Sequence, residues 1–226
     1  WSVAMFTSGS TGLPKIFSFT NEQLISTVNW YKKIYGVTSS SIIISSLPTT
    51  YNFSFISGVF QSHTINCTYQ YLTPDKIVQY INKCKNTYDK IIVLANPLIL
   101  EILSEFTLDI GEEVKNKILI DSGGAPLSTT AIKWFRENGL NLREGYGLTE
   151  TASLTHFDIE GSNNSIGSVG IEMPGVFTKL INIDNKPLIN IDSPNVGAQL
   201  DYNFKNIIKS HTTYQTEDIG QLDSSG

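Results

Sequence analysis

Short apolar runs alternate along the first two thirds of the chain with stretches in which apolar residues recur every three or four positions. Val3-Ala4-Met5-Phe6, Ile16-Phe17-Ser18-Phe19, Ile42-Ile43-Ile44, Ile91-Ile92-Val93-Leu94 and Lys117-Ile118-Leu119-Ile120 read as strands, the first as a short buried one. Thr20 with Gln23 has capping-box spacing and predicts a helix whose inner stripe is Leu24, Val28, Tyr31 and Tyr35. Thr73-Pro74 opens a second helix, with Thr73 as cap and Ile77, Tyr80, Ile81 and Cys84 on its apolar face. Asn96-Pro97 starts a third through Leu100 and Leu103, and Ser128 to Asn138 forms a fourth, stopped by Gly139. Strands alternating with amphipathic helices predict an α/β fold, a largely parallel sheet flanked by helices. From about Ser165 the texture changes: short apolar runs (Val176 to Ile183, Pro187 to Ile191, Asn206 to Ile208) lie between Gly, Asn, Asp and Pro. That predicts a β-rich, partly barrel-like subdomain, so the expected division is 1–164 for the α/β core and 165–226 for the β-rich part.

Composition narrows the function classes. Lys+Arg 16 against Asp+Glu 21 gives a net charge of −5, which argues against a nucleic-acid binder. No run approaches the ~20 apolar residues of a membrane span. Cys67 and Cys84 exclude a disulfide scaffold or a four-cysteine zinc site, and both read as buried thiols. His63 reads as a helix residue with a satisfied hydrogen bond, while His156 and His211 lack a nucleophile or acid at telling spacing. The sequon patterns at Asn52, Asn66 and Asn163 read as coincidence. The chain opens on Trp1, without methionine or signal peptide, and is expected to be a piece of a longer, cytoplasmic protein.

The chemistry concentrates in Thr7-Ser8-Gly9-Ser10-Thr11-Gly12-Leu13-Pro14-Lys15, where four hydroxyls, two glycines and a lysine lie between two strands. Glycines admit a ligand close to the backbone, successive N–H groups can form an anion nest, and Lys15 adds positive charge. The combination suits a polyphosphate. Pro14 precedes the lysine and a strand follows it, so this is neither a Walker loop nor a dinucleotide loop at a helix N-terminus.

At this string the sequence resembles the adenylate-forming superfamily of acyl-CoA synthetases, aryl-acid ligases, nonribosomal adenylation domains and luciferases. Three further segments match in order. Asp121-Ser122-Gly123-Gly124-Ala125-Pro126-Leu127 resembles the loop along the adenine and acyl pocket, Glu144-Gly145-Tyr146-Gly147-Leu148-Thr149-Glu150-Thr151 the Tyr-Gly-x-Thr-Glu motif, and Tyr214-Gln215-Thr216-Glu217-Asp218 the Tyr-x-Thr-Gly-Asp motif. The resemblance implies that Thr7, Ser8, Gly9, Ser10, Thr11, Gly12 and Lys15 hold the β- and γ-phosphates of ATP, and that Gly123, Gly124, Ala125, Pro126 and Gly147 line the nucleotide. Tyr146 would stack on adenine, Thr149 donate to the α-phosphate, Glu150 bind Mg²⁺, and Asp218 accept from the ribose hydroxyls. Lys15, Thr149 and Glu150 are the implied catalytic set.

Two departures stand out. Glu217 replaces the usual glycine beside Asp218, placing a second negative charge near the ribose. The resemblance also stops before the family's hinge and small C-terminal domain, whose catalytic lysine is assigned to no residue here. Leu47-Pro48-Thr49-Thr50-Tyr51-Asn52-Phe53-Ser54-Phe55 resembles the segment before a pocket-lining helix, so Tyr51, Asn52 and Ser54, with Gly123 and Gly145, are the implied acid pocket. Ser54 falls where amino-acid-activating relatives carry aspartate, which argues against an α-amino acid. The implied activity is ATP-dependent activation of a fatty or aryl acid to an acyl-adenylate, then transfer to the thiol of CoA or of a carrier-protein phosphopantetheine. The alternative is a nucleotide-binding fragment or degenerate module without turnover.

Overall fold

The computed structural model describes residues 2–7, 13–105, 110–159, 161 and 166–222. Its centre is a seven-stranded sheet in the order β4 (Thr68–Tyr71), β3 (Ile42–Ser45), β5 (Ile91–Ala95), β6 (Ile118–Ser122), β7 (Asn141–Leu148), β8 (Ser153–Phe157) and β9 (Ile171–Glu172). The strands from β4 through β7 are parallel, and β8 and β9 add on antiparallel. β3, β5 and β6 are buried along their whole length, as unbroken Ile, Val and Leu runs require when helices cover both faces.

The helices arise as their patterns predict. In α1 (Asn21–Tyr35) Thr20 and Gln23 form the reciprocal capping box, Leu24, Val28, Tyr31 and Tyr35 are buried, and Gly36 closes the helix at φ +62°. α4 (Pro74–Cys84) carries proline in its first turn, but the Thr73 side chain makes no capping bond, and Tyr80 is half-buried rather than inside. Asn96 Oδ1 accepts from Ile99 N at 2.9 Å to start α5 (Pro97–Glu105). Ser128 caps α7 (Thr129–Glu137) through Ala131 N, and Gly139, at φ +78°, ends it. A short α6 (Glu112–Lys115) precedes β6.

Three elements lay outside the strand pattern. A helical run, α2 (Asn52–Ser54), a π-helical stretch Phe55–Phe60 and α3 (Gln61–Ile65), leads into β4. β4 is a half-exposed edge strand with no apolar run, and β7 hides its strand character behind Gly145, Gly147 and two charges.

The first two strands do not join the parallel sheet. β1 (Val3–Thr7) and β2 (Lys15–Phe19) form an antiparallel hairpin, and β2 then pairs with β12 (Ala198–Leu200), which pairs with β13 (Ile207–Lys209). β1 is therefore an edge strand. Only Met5 of Val3–Phe6 is buried, and Phe6 is exposed, so the expectation of a buried strand is corrected. A third sheet orders β10 (Phe177–Ile183), β11 (Lys186–Asp192) and β14 (Thr213–Ile219), all antiparallel. Cys84 is buried but Cys67 only half so, and His63 lies exposed in α3. No helix among the described residues is long and apolar enough to cross a membrane.

Candidate nucleotide and acid site

β7 changes partner midway. Asn141 to Glu144 pair parallel with β6, whereas Gly145 to Leu148 pair antiparallel with β8 through an irregular register at Tyr146/Gly147. Gly147 is required there, because a Cβ would stand 1.5 Å from the Ser153 carbonyl oxygen. The chain then makes a 3₁₀ turn, Thr149–Thr151, held by Leu148 N donating to Thr151 Oγ1 at 3.2 Å. Ala152 and Ser153 follow with positive φ, +54° and +86°, a strained pair that throws Thr149 and Glu150 out beyond the end of the sheet. Gly197 N donates to the Glu150 carbonyl at 2.8 Å, and β1 packs against the turn.

β14 completes this corner. Its register with β11 is irregular between the Asn190–Gln215 and Leu188–Ile219 pairs, the stretch that holds Thr216 and Asp218. Thr216 is buried; its hydroxyl donates to Ile189 O at 2.8 Å and accepts from Asp218 N at 3.1 Å, fixing the aspartate's backbone. Tyr146 OH donates to Asp218 Oδ2 at 2.7 Å, and Tyr214 OH donates to Glu150 Oε1 at 3.1 Å. Burial, reinforced by these carboxylates, raises both phenols above their ordinary range, so both are neutral donors. The Tyr146 ring packs beside His156, with centroids 5.7 Å apart. His156 bonds Thr155 Oγ1 through Nδ1 and Thr178 Oγ1 through Nε2, and burial lowers its pKa.

Of the loop proposed for phosphates, Thr7 ends β1 and Lys15 begins β2 as a cross-strand pair. Thr7 Oγ1 is buried with no partner among the described residues. Ser8, Gly9, Ser10, Thr11 and Gly12 lie outside the described residues.

The segment after β6 turns through Gly124 at φ +88°, with Gly124, Ala125 and Pro126 exposed. Gly123 is buried, and a Cβ there would meet the Phe53 ring at 3.2 Å. At Gly145 a Cβ would meet Leu154 Cδ1 at 2.7 Å and Asp121 Oδ1 at 3.4 Å. Asn52 is buried; its Nδ2 donates to Leu148 O at 3.4 Å and its Oδ1 has no partner among the described residues. Tyr51 is 56% exposed at the start of α2. Ser54 differs from its neighbours, because its hydroxyl donates to Leu47 O at 3.1 Å and lies within bonding distance of Ser45 and Tyr69. It is engaged in holding the Leu47–Ser54 turn.

Tyr146, Glu150 and Asp218 thus share one corner, and Asn52, Gly123 and Gly145 lie around the adjoining end of β6 and β7. Glu217 is exposed, beside Asp218 in β14. Sequence reasoning passed over Tyr214 as a partner of Glu150, His156 as a neighbour of Tyr146, and the buried Asp121–Tyr35 contact. Tyr214 and Asp121 lie inside the quoted motifs, whereas no spacing rule links residue 35 to residue 121. Among the described residues no group of three or more His, Cys, Asp or Glu gathers as a metal site.

Comparison with known proteins bears on the family and the fold. The AMP-binding enzyme family matches residues 2–197. A luciferin 4-monooxygenase of Nipponoluciola cruciata is 29% identical over 191 residues, 82% of this chain and 34% of that protein. An acyl-CoA ligase of Aspergillus niger is 23% identical over 98% of this chain and 42% of its own. Among solved structures, the O-succinylbenzoate coenzyme A synthetase of Bacillus subtilis, in complex with AMP, superposes with a TM-score of 0.82 at 23% identity, covering 99% of this chain and 47% of that one. The chain therefore spans about a third to a half of the length of these relatives. With the family model matching residues 2–197, most of this chain, the chain belongs to the AMP-binding enzyme family.

Proposed function

We propose that this chain is the nucleotide- and acid-binding part of an ATP-dependent carboxylate ligase, which converts a carboxylic acid to an acyl-adenylate and passes it to a thiol of CoA or a carrier-protein phosphopantetheine. The observation that carries this is the hydrogen-bonded corner in which Tyr146 meets Asp218 and Tyr214 meets Glu150. Residues from two distant motifs come together there at the end of a parallel sheet, the usual place for a ligand in such folds.

The residues fit ATP with Mg²⁺. Thr7 Oγ1, buried and without a partner among the described residues, would be satisfied by a phosphate oxygen, and Lys15 across the hairpin supplies charge. Asp218, with its backbone held by Thr216, suits a ribose diol, and Tyr146 offers a ring face. Glu150 suits Mg²⁺, which is commonly held by one or two carboxylates plus substrate phosphates rather than by a protein cage. Bound Mg²⁺ would offset charge on the departing pyrophosphate. This chain's own part is positioning: Thr149 at the α-phosphate, Lys15 and the hairpin hydroxyls along the polyphosphate, Gly123, Gly124, Ala125, Pro126 and Gly147 along the nucleotide, and Asn52, Gly123 and Gly145 around the acid.

Calorimetric titration with ATP·Mg and AMP, alongside acid-dependent ATP–pyrophosphate exchange, tests the proposal. Lys15→Ala is expected to weaken ATP at least tenfold and AMP much less, because the lysine addresses the outer phosphates. Unchanged ATP affinity would remove Lys15 from the site. The exposed Glu217 beside Asp218 favours a second possibility, a binding module without turnover. Tight ATP binding with no exchange for any acid, in the longest form of the protein that contains this chain, would select it.

A further inference from the structure

One buried carboxyl on the α1 side of the sheet has no part in the nucleotide contacts. Asp121 precedes Gly123 by two residues and so faces the same side of β6. The Ser122–Glu144 pairing, carried on by one residue, sets Gly123 and Gly145 side by side on that face. Asp121 is fully buried. Its Oδ2 accepts from the Tyr35 hydroxyl of α1, and its Oδ1 has no partner among the described residues. Tyr31, one turn earlier on α1, shares a 2.8 Å hydrogen bond with Ser153 Oγ, and none of the described residues donates to Asp121 Oδ1. Oδ1 is directed at the ground over Gly145, 3.4 Å from where a Cβ would stand. Three side chains close over that ground and would have to give way to a ligand: Phe53 over Gly123, and Leu154 and Phe157 over Gly145.

A buried oxygen without a donor is costly, and the cost is relieved when a ligand brings the donor. An alkyl tail entering between the glycines leaves Oδ1 unpaired. A tail ending in a hydroxyl or an ammonium group pairs it, the latter as a charge-assisted bond. We propose that Asp121 is the specificity-determining residue at the inner end of the acid site, selecting acids whose tail carries a hydrogen-bond donor over acids that end in methyl. This rests on the ligase function proposed above.

The test uses acyl-sulfamoyl-adenosine analogues over a graded series of chain lengths, each length ending in methyl, hydroxyl or amine, titrated calorimetrically into the chain with AMP as control. The expected result is that, at one length, the hydroxyl or amine analogue binds at least tenfold tighter than its methyl counterpart. Asp121→Leu should abolish that ratio, whereas Asp121→Asn, which keeps the shape, should retain a hydroxyl preference and lose an amine preference. Should Asp121→Leu fail to fold, the wild-type ratios and Asp121→Asn still decide the matter. Methyl analogues bound as tightly as the others at every length, with AMP still binding, would overturn the inference and leave the ligase proposal standing. Failure of AMP and every analogue to bind would overturn the ligase proposal, and the inference with it.

Discussion

Asp121 shows how one residue can sit at odds with its surroundings. Burial among apolar β-sheet residues raises its pKa well above the ordinary 3.8, because an ionised carboxylate loses its hydration and Tyr35 replaces only part of it. A carboxyl with a raised folded pKa binds its proton more tightly in the native state. It therefore favours the native state at low pH and penalises it as pH rises from the unfolded value through the folded one. Asp121→Asn removes that penalty. Urea unfolding across pH 4 to 9 is expected to show wild type and variant nearly equal at the acid end, with the variant increasingly more stable toward the alkaline end; a constant difference would contradict this. At this scale Tyr146, Glu150 and Asp218 were legible because their motifs are local strings. That Tyr214 OH would reach Glu150, or Tyr35 would meet Asp121, was not, since neither contact has a fixed spacing along the chain.

Among elements, the β7–β8 corner carries the most constraint. Its two glycines of contrasting kind make a test. At Gly147 a Cβ collides with the Ser153 carbonyl, a backbone atom that cannot step aside, so Gly147→Ala is expected to cost about 3 kcal/mol or more. At Gly124 a Cβ meets nothing within 4 Å, and only the φ of +88° opposes a side chain, so Gly124→Ala should cost about 1 kcal/mol. Urea midpoints of the two variants check the order; equal losses would mean that the register at Tyr146/Gly147 is not rigid. Helices α1, α4, α5 and α7 were legible because their faces repeat at 3.6 residues and their ends carry caps, proline or glycine. β4 and β7 were not. β4 is an edge strand that needs no continuous apolar run, and β7 trades strand-forming residues for glycines where backbone must approach backbone.

The whole molecule is stitched across sequence distance. Ser18 donates to Ala198 O, Gln23 Nε2 reaches Pro194 O and Val196 O, and Asn195 Nδ2 donates to Thr27 Oγ1, so β2 and α1 are tied to the segment leading into β12. At the far edge a nearly buried ion pair, Arg136 to Asp158 at 2.6 Å, binds α7 to the residue after β8. Removing residues 198–222 should strip β2 of its neighbour β12, leaving only β1, and uncover Phe17 and Phe19. The expected outcome is a lower and broader urea transition for the shortened chain, read by fluorescence. An unchanged midpoint would mean that the α/β part does not depend on β12, β13 and β14.

The chain's own order of residues determined the α/β alternation, the capped helices, the parallel core and the four motifs, because propensity, periodicity and motif strings all act over a few neighbouring residues. Only the tertiary structure decided that the hairpin of the first two strands leaves the parallel sheet to pair with β12, that β7 divides between two partners, and that Ser54 is engaged in a turn. It alone left Asp121 buried with an oxygen that none of the described residues pairs. These are outcomes of competition among distant segments for backbone partners and buried volume, and that competition is settled only when the whole chain has packed.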